Sequence, residues 1–148
     1  MRAVIQCVTS AEVGIDGEVV SSIGTGYLIL LGVGAGDSEA QAEKLWEKIR
    51  KMRVFEDEDG KTNLSLAAIG GDVMVISQFT LFANCKKGNR PSFTDAMGPE
   101  EAERLYEYFL ELARADVPRV AHGQFGAMMD VSLVNHGPFT ICLDTDTL

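Results

Sequence analysis

Two short stretches of the 148-residue chain place polar groups at the ends of apolar runs. In the first, Ser77-Gln78-Phe79-Thr80-Leu81 follows Val73, Val75 and Ile76. Ser77 and Thr80 offer hydroxyls, and Gln78 offers a donor and an acceptor together. Such groups either close the strand on nearby backbone, the commoner role for Ser and Thr, or face a pocket. In the second, Asn135-His136-Gly137-Pro138 interrupts the apolar sequence VSLVNHGPFTICL, residues 131–143. Pro138 cannot donate to a sheet ladder, and Gly137 can take dihedrals that other residues avoid. The simplest reading is a tight turn joining two strands. The alternative is rigid backbone held toward a ligand.

The other reaction classes leave little trace. No GxSxG elbow, Walker loop, GxGxxG fingerprint or HExxH helix is present. His122 and His136 are the only histidines. A triad can be drawn from Ser77, His136 and either Asp72 or Asp130, but the spacing does not single it out. Cys7, Cys85 and Cys142 form no CxxC pair, which argues against a zinc site and a disulfide framework. Cys7 and Cys142 lie in apolar patterns and are expected to be small buried hydrophobes. The formal net charge is −9, which opposes polyanions globally. Locally, Lys86, Lys87 and Arg90 cluster beside Gly88 and Pro91. A basic loop of this kind is either a solvated surface or a phosphate contact.

The surrounding pattern predicts the elements that would position these groups. Residues 2–8 and 10–15 read as strands, and Asp16-Gly17 is a hairpin signal. Residues 27–33 read as a buried strand. Ser38 with Gln41 fits a capping box ahead of a helix whose stripe is Ala42, Leu45, Trp46, Ile49 and Met52. Further strands are expected over 53–55, 72–79, 118–123, 128–134 and 139–143. Pro99 suits the first turn of a second helix carrying Ala102, Leu105, Tyr106, Phe109, Leu112 and Ala113. Many strands and two helices, without strict alternation, give an α+β class. The expected architecture is a curled, mostly antiparallel, barrel-like sheet with the two helices outside, forming one domain over 1–148. No apolar run is long enough to span a bilayer, and the opening MRAVIQCV lacks signal-peptide features. A cytoplasmic location without membrane contact is expected.

Taken together, the two polar stretches resemble the D-aminoacyl-tRNA deacylase family. Ser77-Gln78-Phe79-Thr80-Leu81 is similar to its SQxTL motif, and Asn135-His136-Gly137-Pro138-Phe139-Thr140 to its NxGPxT motif. MRAVIQ, LLGV at 30–33, KGNRPSF at 87–93 and FGAMM at 125–129 extend the resemblance along the chain. It implies a homodimer that hydrolyses the ester between a D-amino acid and the 3′ adenosine of tRNA, needing no cofactor or metal. Glycyl-tRNA mischarged on tRNA-Ala would also be a substrate. It further implies a cis Gly137-Pro138 bond projecting into the partner's pocket as a backbone gate that excludes L side chains. The tRNA 2′-hydroxyl would assist the reaction. Ser77, Gln78, Phe79 and Thr80 would line the pocket, with amides near Phe79 and Thr80 forming an oxyanion-type site. Asn135, Thr140, Phe125 and Met129 would support it, and Lys86, Lys87 and Arg90 would approach the tRNA end.

One position departs from the family pattern. Cys7 stands where the family usually has Arg, a residue associated with orienting the Gly-Pro segment. The departure raises the expectation of a gate looser toward L-aminoacyl-tRNA. A non-catalytic, nucleic-acid-associated dimer is the remaining alternative.

Overall fold

A computed structural model describes residues 1–148. Strand β1 (Arg2–Ile15) is the spine of the fold. It is one long strand where the sequence pattern predicts two. Cys7 and Val8, adjacent in the chain, are both buried, because β1 shifts its register against its partner between Gln6 and Ser10. A bulge of this kind lets a strand change the face it buries. Met1, Ala3, Ile5 and Cys7 therefore join one core, and Val8, Ala11 and Val13 another.

The Asp16-Gly17 turn has φ of 53° and 83° and returns the chain into β2 (Glu18–Ile23). Strand β3 (Gly26–Gly32) pairs antiparallel with residues 2–8 of β1. Helix α1 (Glu39–Lys51) starts at Ser38, whose amide and hydroxyl both donate to Gln41 Oε1 at 2.8 and 2.7 Å. A small antiparallel ribbon, β4 (Arg53–Glu56) with β5 (Thr62–Ser65), and a single turn, α2 (Leu66–Ile69), follow. Strand β6 (Asp72–Ser77) lies parallel to β3 and is followed by a 3-10 turn, Phe79–Phe82. Helix α3 (Pro99–Asp116), β7 (Val120–His122) and β8 (Asp130–Asp144) complete the chain.

The main sheet runs β2-β1-β3-β6-β7, and β8 covers the other side of β1 along nearly its whole length. The β3–β6 and β6–β7 pairings are parallel and the rest are antiparallel. The curl closes between β2 and β7 through side chains: Ser21 Oγ donates to the His122 carbonyl at 2.8 Å, and Arg119 to the Ser22 carbonyl at 2.9 Å. Period-2 alternation assigns Val73 and Val75 to the helix side, and Met74 and Ile76 to the inside of the curl. The helix side is filled by α1 and α3. Trp46 meets Phe109 edge to face at 5.7 Å and donates its indole N–H to Asp116 at 2.8 Å. Buried Tyr106 donates to the Val75 carbonyl at 2.8 Å, tying α3 to β6. No helix is long and apolar enough to cross a membrane.

Two sequence expectations are corrected. Residues 128–134 and 139–143 are not separate strands joined by a tight turn, because both pair with β1 as parts of β8. Cys142 is exposed, since β8 pairs with β1 along one edge and turns one of its two faces away from the core; only Cys7 is buried.

Candidate active site

The 3-10 turn sits where β6 ends. Gln78 N–H still donates to the Leu31 carbonyl at 2.7 Å, so the ladder runs one residue past the strand before the chain coils. Phe79 and Thr80 open the turn, and their amides have no acceptor within it. Gln78 Nε2 donates to Thr80 Oγ1 at 2.5 Å. Thr80 is exposed, and the Phe79 ring, 57% exposed, leans edge-on against Phe93 at 5.1 Å.

Beside the turn lies a cavity of about 390 Å³, lined by Ile76, Ser77, Gln78, Phe79, residues 125–129 and Val131. Ile76, Met129 and Val131 also belong to or pack on the inner core, so the cavity is the mouth of the curl. Phe125 is held from behind by Tyr106, with ring centroids 5.8 Å apart. The site is mainly apolar, with the Ser77 and Gln78 polar groups at its rim. None of its lining side chains titrates near neutral pH. Of the residues singled out from sequence, Ser77, Gln78, Phe79, Phe125 and Met129 meet here. Gly126, Ala127, Met128 and Val131 also line the cavity and lack any individual sequence signal. Met128 is 90% exposed, unusual for a residue of its type.

Asn135, Gly137, Pro138 and Thr140 lie elsewhere on the same chain, within β8. Thr140 pairs with Gln6 and Asn135 with Val8. Residues 136–139 therefore bulge outward opposite Cys7 alone. Asn135 Nδ2 braces the bulge, donating to the Cys7 carbonyl at 2.9 Å and the Phe139 carbonyl at 3.0 Å. Gly137 has φ of +114°, a region open to glycine and strained for L side chains. The Gly137-Pro138 bond is cis, and both residues are exposed. Cys7 contributes its carbonyl; its side chain points into the helix-side core, where burial pushes its thiol up to about 11.

The triad is not assembled. Asp72 instead accepts from the Gly24 amide at 2.9 Å and lies 3.7 Å from Arg119, while Ser77 and His136 make no side-chain hydrogen bond. His122 Nδ1 is engaged with the Gly123 carbonyl at 2.7 Å. No three His, Cys, Asp or Glu side chains gather as metal ligands would. Lys86, Lys87 and Arg90 are exposed and form no ion pair.

Comparison with known proteins bears on this arrangement. The family model described as D-Tyr-tRNA(Tyr) deacylase matches residues 4–144. A D-aminoacyl-tRNA deacylase of Roseiflexus castenholzii is 56% identical over 146 residues, 98% of this chain and 92% of that one. One of Thermosipho melanesiensis is 49% identical over 146 residues, covering 98% and 97%. Among solved structures, the c-Myc DNA Unwinding Element Binding Protein superposes with a TM-score of 0.92 at 42% identity, covering 97% and 98%. A probable eukaryotic D-amino acid tRNA deacylase gives 0.81 at 16% identity, over 96% and 97%, a likeness of fold. With the family model spanning nearly the whole chain and relatives near half identity over their full length, the chain belongs to the D-Tyr-tRNA(Tyr) deacylase family.

Proposed function

We propose that this deacylase, as a homodimer, hydrolyses the ester joining a D-amino acid or glycine to the 3′ adenosine of tRNA. Gly137-Pro138 of one subunit serves as the chiral gate of the other. The reading is carried by the separation of the two polar stretches. None of residues 136–139 lines the cavity at Ser77–Phe79, and His136, Gly137 and Pro138 are exposed. β8 pairs only with β1, which leaves its other edge free, and it exposes Leu133 and Val134, the latter at 57%. A second copy docked along β8 would cover these side chains and carry the bulge toward the partner's cavity.

In that assembly, main-chain carbonyls at the bulge hold the substrate ammonium, and the wall rejects a β-carbon of L configuration by steric exclusion. Glycine has none to reject. The Phe79 and Thr80 amides receive the oxyanion as water attacks the ester carbonyl. No lining side chain is a general base, and Thr80 Oγ1 is bonded only to Gln78. This supports a positioning role for the protein, with the terminal 2′-hydroxyl of the tRNA activating the water. Lys86, Lys87 and Arg90 contact the phosphates near the tRNA end. Cys7 offers no side-chain brace to the gate. Asn135, part of the family motif itself, braces the bulge through the Cys7 and Phe139 carbonyls, and the gate keeps that brace without a side chain from position 7.

Gly137→Val tests the gate, and tRNA ending in 2′-deoxyadenosine tests the assistance. Both should lower D-Tyr-tRNA turnover by on the order of 100-fold, the first without loss of the fold. Full turnover by Gly137→Val removes the bulge from the site. Full turnover on the deoxy substrate removes the 2′-hydroxyl from the mechanism.

A further inference from the structure

The 3-10 turn that carries the Phe79 and Thr80 amides is short, and such turns have poor internal hydrogen-bond geometry. Its first end is fixed by the Gln78–Leu31 ladder bond. Its second end is fixed by a residue nearly eighty positions away. Arg2, the first residue of β1, donates from Nη1 to the Leu81 carbonyl at 3.0 Å and lays its guanidinium over the Phe82 ring at 4.4 Å. Its Nε is held at 2.7 Å by Asp144, the last residue of β8. The Phe82 ring occupies the space that a side chain at Gly34 would need, and Gly34 N–H is anchored on Asp37 at 2.6 Å. Beneath the turn, a Cβ at Gly32 would press on the Gln78 carbonyl and Leu81 Cβ at 3.0 Å. The turn is thus seated on bare backbone and clamped from above.

Building on the proposed reaction, we infer that Arg2, oriented by Asp144, is a positioning residue that sets where the Phe79 and Thr80 amides point. Leu81 follows Thr80 directly, so a carbonyl released at Leu81 lets the peptide planes before it rotate. The fork geometry of arginine is what the site uses. One guanidinium edge takes the carboxylate, another N–H takes the carbonyl, and the flat face covers the ring. A lysine ammonium can satisfy Asp144 but not all three contacts together. Arg2 is 41% exposed and Asp144 28%, so their ion pair contributes little to global stability. Its effect falls on the turn and, through Asp144, on the end of the strand that bears the Gly137-Pro138 bulge.

The test compares Arg2→Gln, Arg2→Lys and Asp144→Asn with the wild type in single-turnover and steady-state hydrolysis of D-Tyr-tRNA, alongside thermal midpoints and amide exchange. Arg2→Gln should lower kcat by on the order of 10- to 100-fold, with KM within about threefold and a midpoint lowered by no more than a few degrees. Arg2→Lys and Asp144→Asn should fall between it and the wild type. The Leu81 and Ala83 amides should exchange faster in Arg2→Gln, while those of β1 and β3 do not change. A kcat within twofold of the wild type in Arg2→Gln, or full activity in Arg2→Lys, overturns the inference. So does unchanged exchange at Leu81 and Ala83. If the wild type does not hydrolyse D-Tyr-tRNA, the proposed reaction fails, and the exchange measurement still decides whether Arg2 fixes the turn.

Discussion

Asn135→Asp is the sharpest perturbation of the bulge. The change keeps the side chain's size, removes its donors and adds a negative charge. Asn135 Nδ2 bridges two carbonyls, Cys7 at 2.9 Å and Phe139 at 3.0 Å, in a half-buried position. Two neutral hydrogen bonds contribute about 1–3 kcal/mol together. A carboxylate facing the same two carbonyls adds repulsion, so the loss should reach at least the upper part of that range. For a chain of this size, about 2 kcal/mol lowers the midpoint by roughly 4–8 °C. Asn135→Ala should cost less than Asn135→Asp, since it leaves the carbonyls unpaired without placing a charge against them. Thermal and urea denaturation at fixed protein concentration would read both. Hydrolysis of D-Tyr-tRNA and L-Tyr-tRNA, measured in parallel, should show a lower D rate and a smaller D-to-L ratio. If Asn135→Asp is as stable and as selective as the wild type, the bulge is not braced by Asn135.

Replacing Lys86, Lys87 and Arg90 with neutral residues should weaken tRNA binding and flatten its salt dependence, by up to about 2 in the log–log slope if each meets a single-strand phosphate. An unchanged slope takes the loop out of the interface. Cys7 should resist thiol reagents in the native state while exposed Cys85 reacts, and should become reactive only on unfolding. Burial raises the Cys7 thiol from 9.0 to about 11, so the folded chain keeps a proton that the unfolded chain releases. Its contribution is complete below pH 9 and is lost as pH rises toward 11, by at most about 1.4 kcal/mol per pH unit. Urea midpoints of wild type and Cys7→Ala across that window check the slope. Phe109→Ala should cost about 3–5 kcal/mol, because the ring is wholly buried and packs on Trp46. A loss below 1 kcal/mol would contradict the packing described.

The sequence pattern reaches far into the fold because most elements announce their own periodicity. The Ser38–Gln41 cap, the α1 stripe and the Asp16-Gly17 turn are local signals, and each appears where the residues place it. Local signals fail where the geometry is long-range. The Gly137-Pro138 segment reads as a hairpin turn, since a proline and a glycine between apolar runs look alike whether the flanking runs pair with each other or with a third strand. Only β1, more than 120 residues away, decides between them. Cys142 reads as buried because its neighbours are apolar, but β8 has an uncovered face. The cavity is half legible. Ser77, Gln78 and Phe79 stand out as polar or aromatic groups at a strand end, whereas Gly126, Ala127 and Met128 carry no chemistry of their own and enter only through the FGAMM stretch of the family resemblance. Arg2 carries no signal either, because its partners Leu81, Phe82 and Asp144 are brought to it by the sheet.

Matched D-Tyr-tRNA and L-Tyr-tRNA, offered to the purified protein with a chelator present, give the most direct measurement. Rapid release of tyrosine from the D ester, with the L ester persisting, is the result expected of a backbone gate braced by Asn135 in the absence of an arginine at position 7. Equal loss of both esters would contradict the gate. Persistence of both would contradict the esterase reading and favour the alternative of a non-catalytic, nucleic-acid-associated dimer.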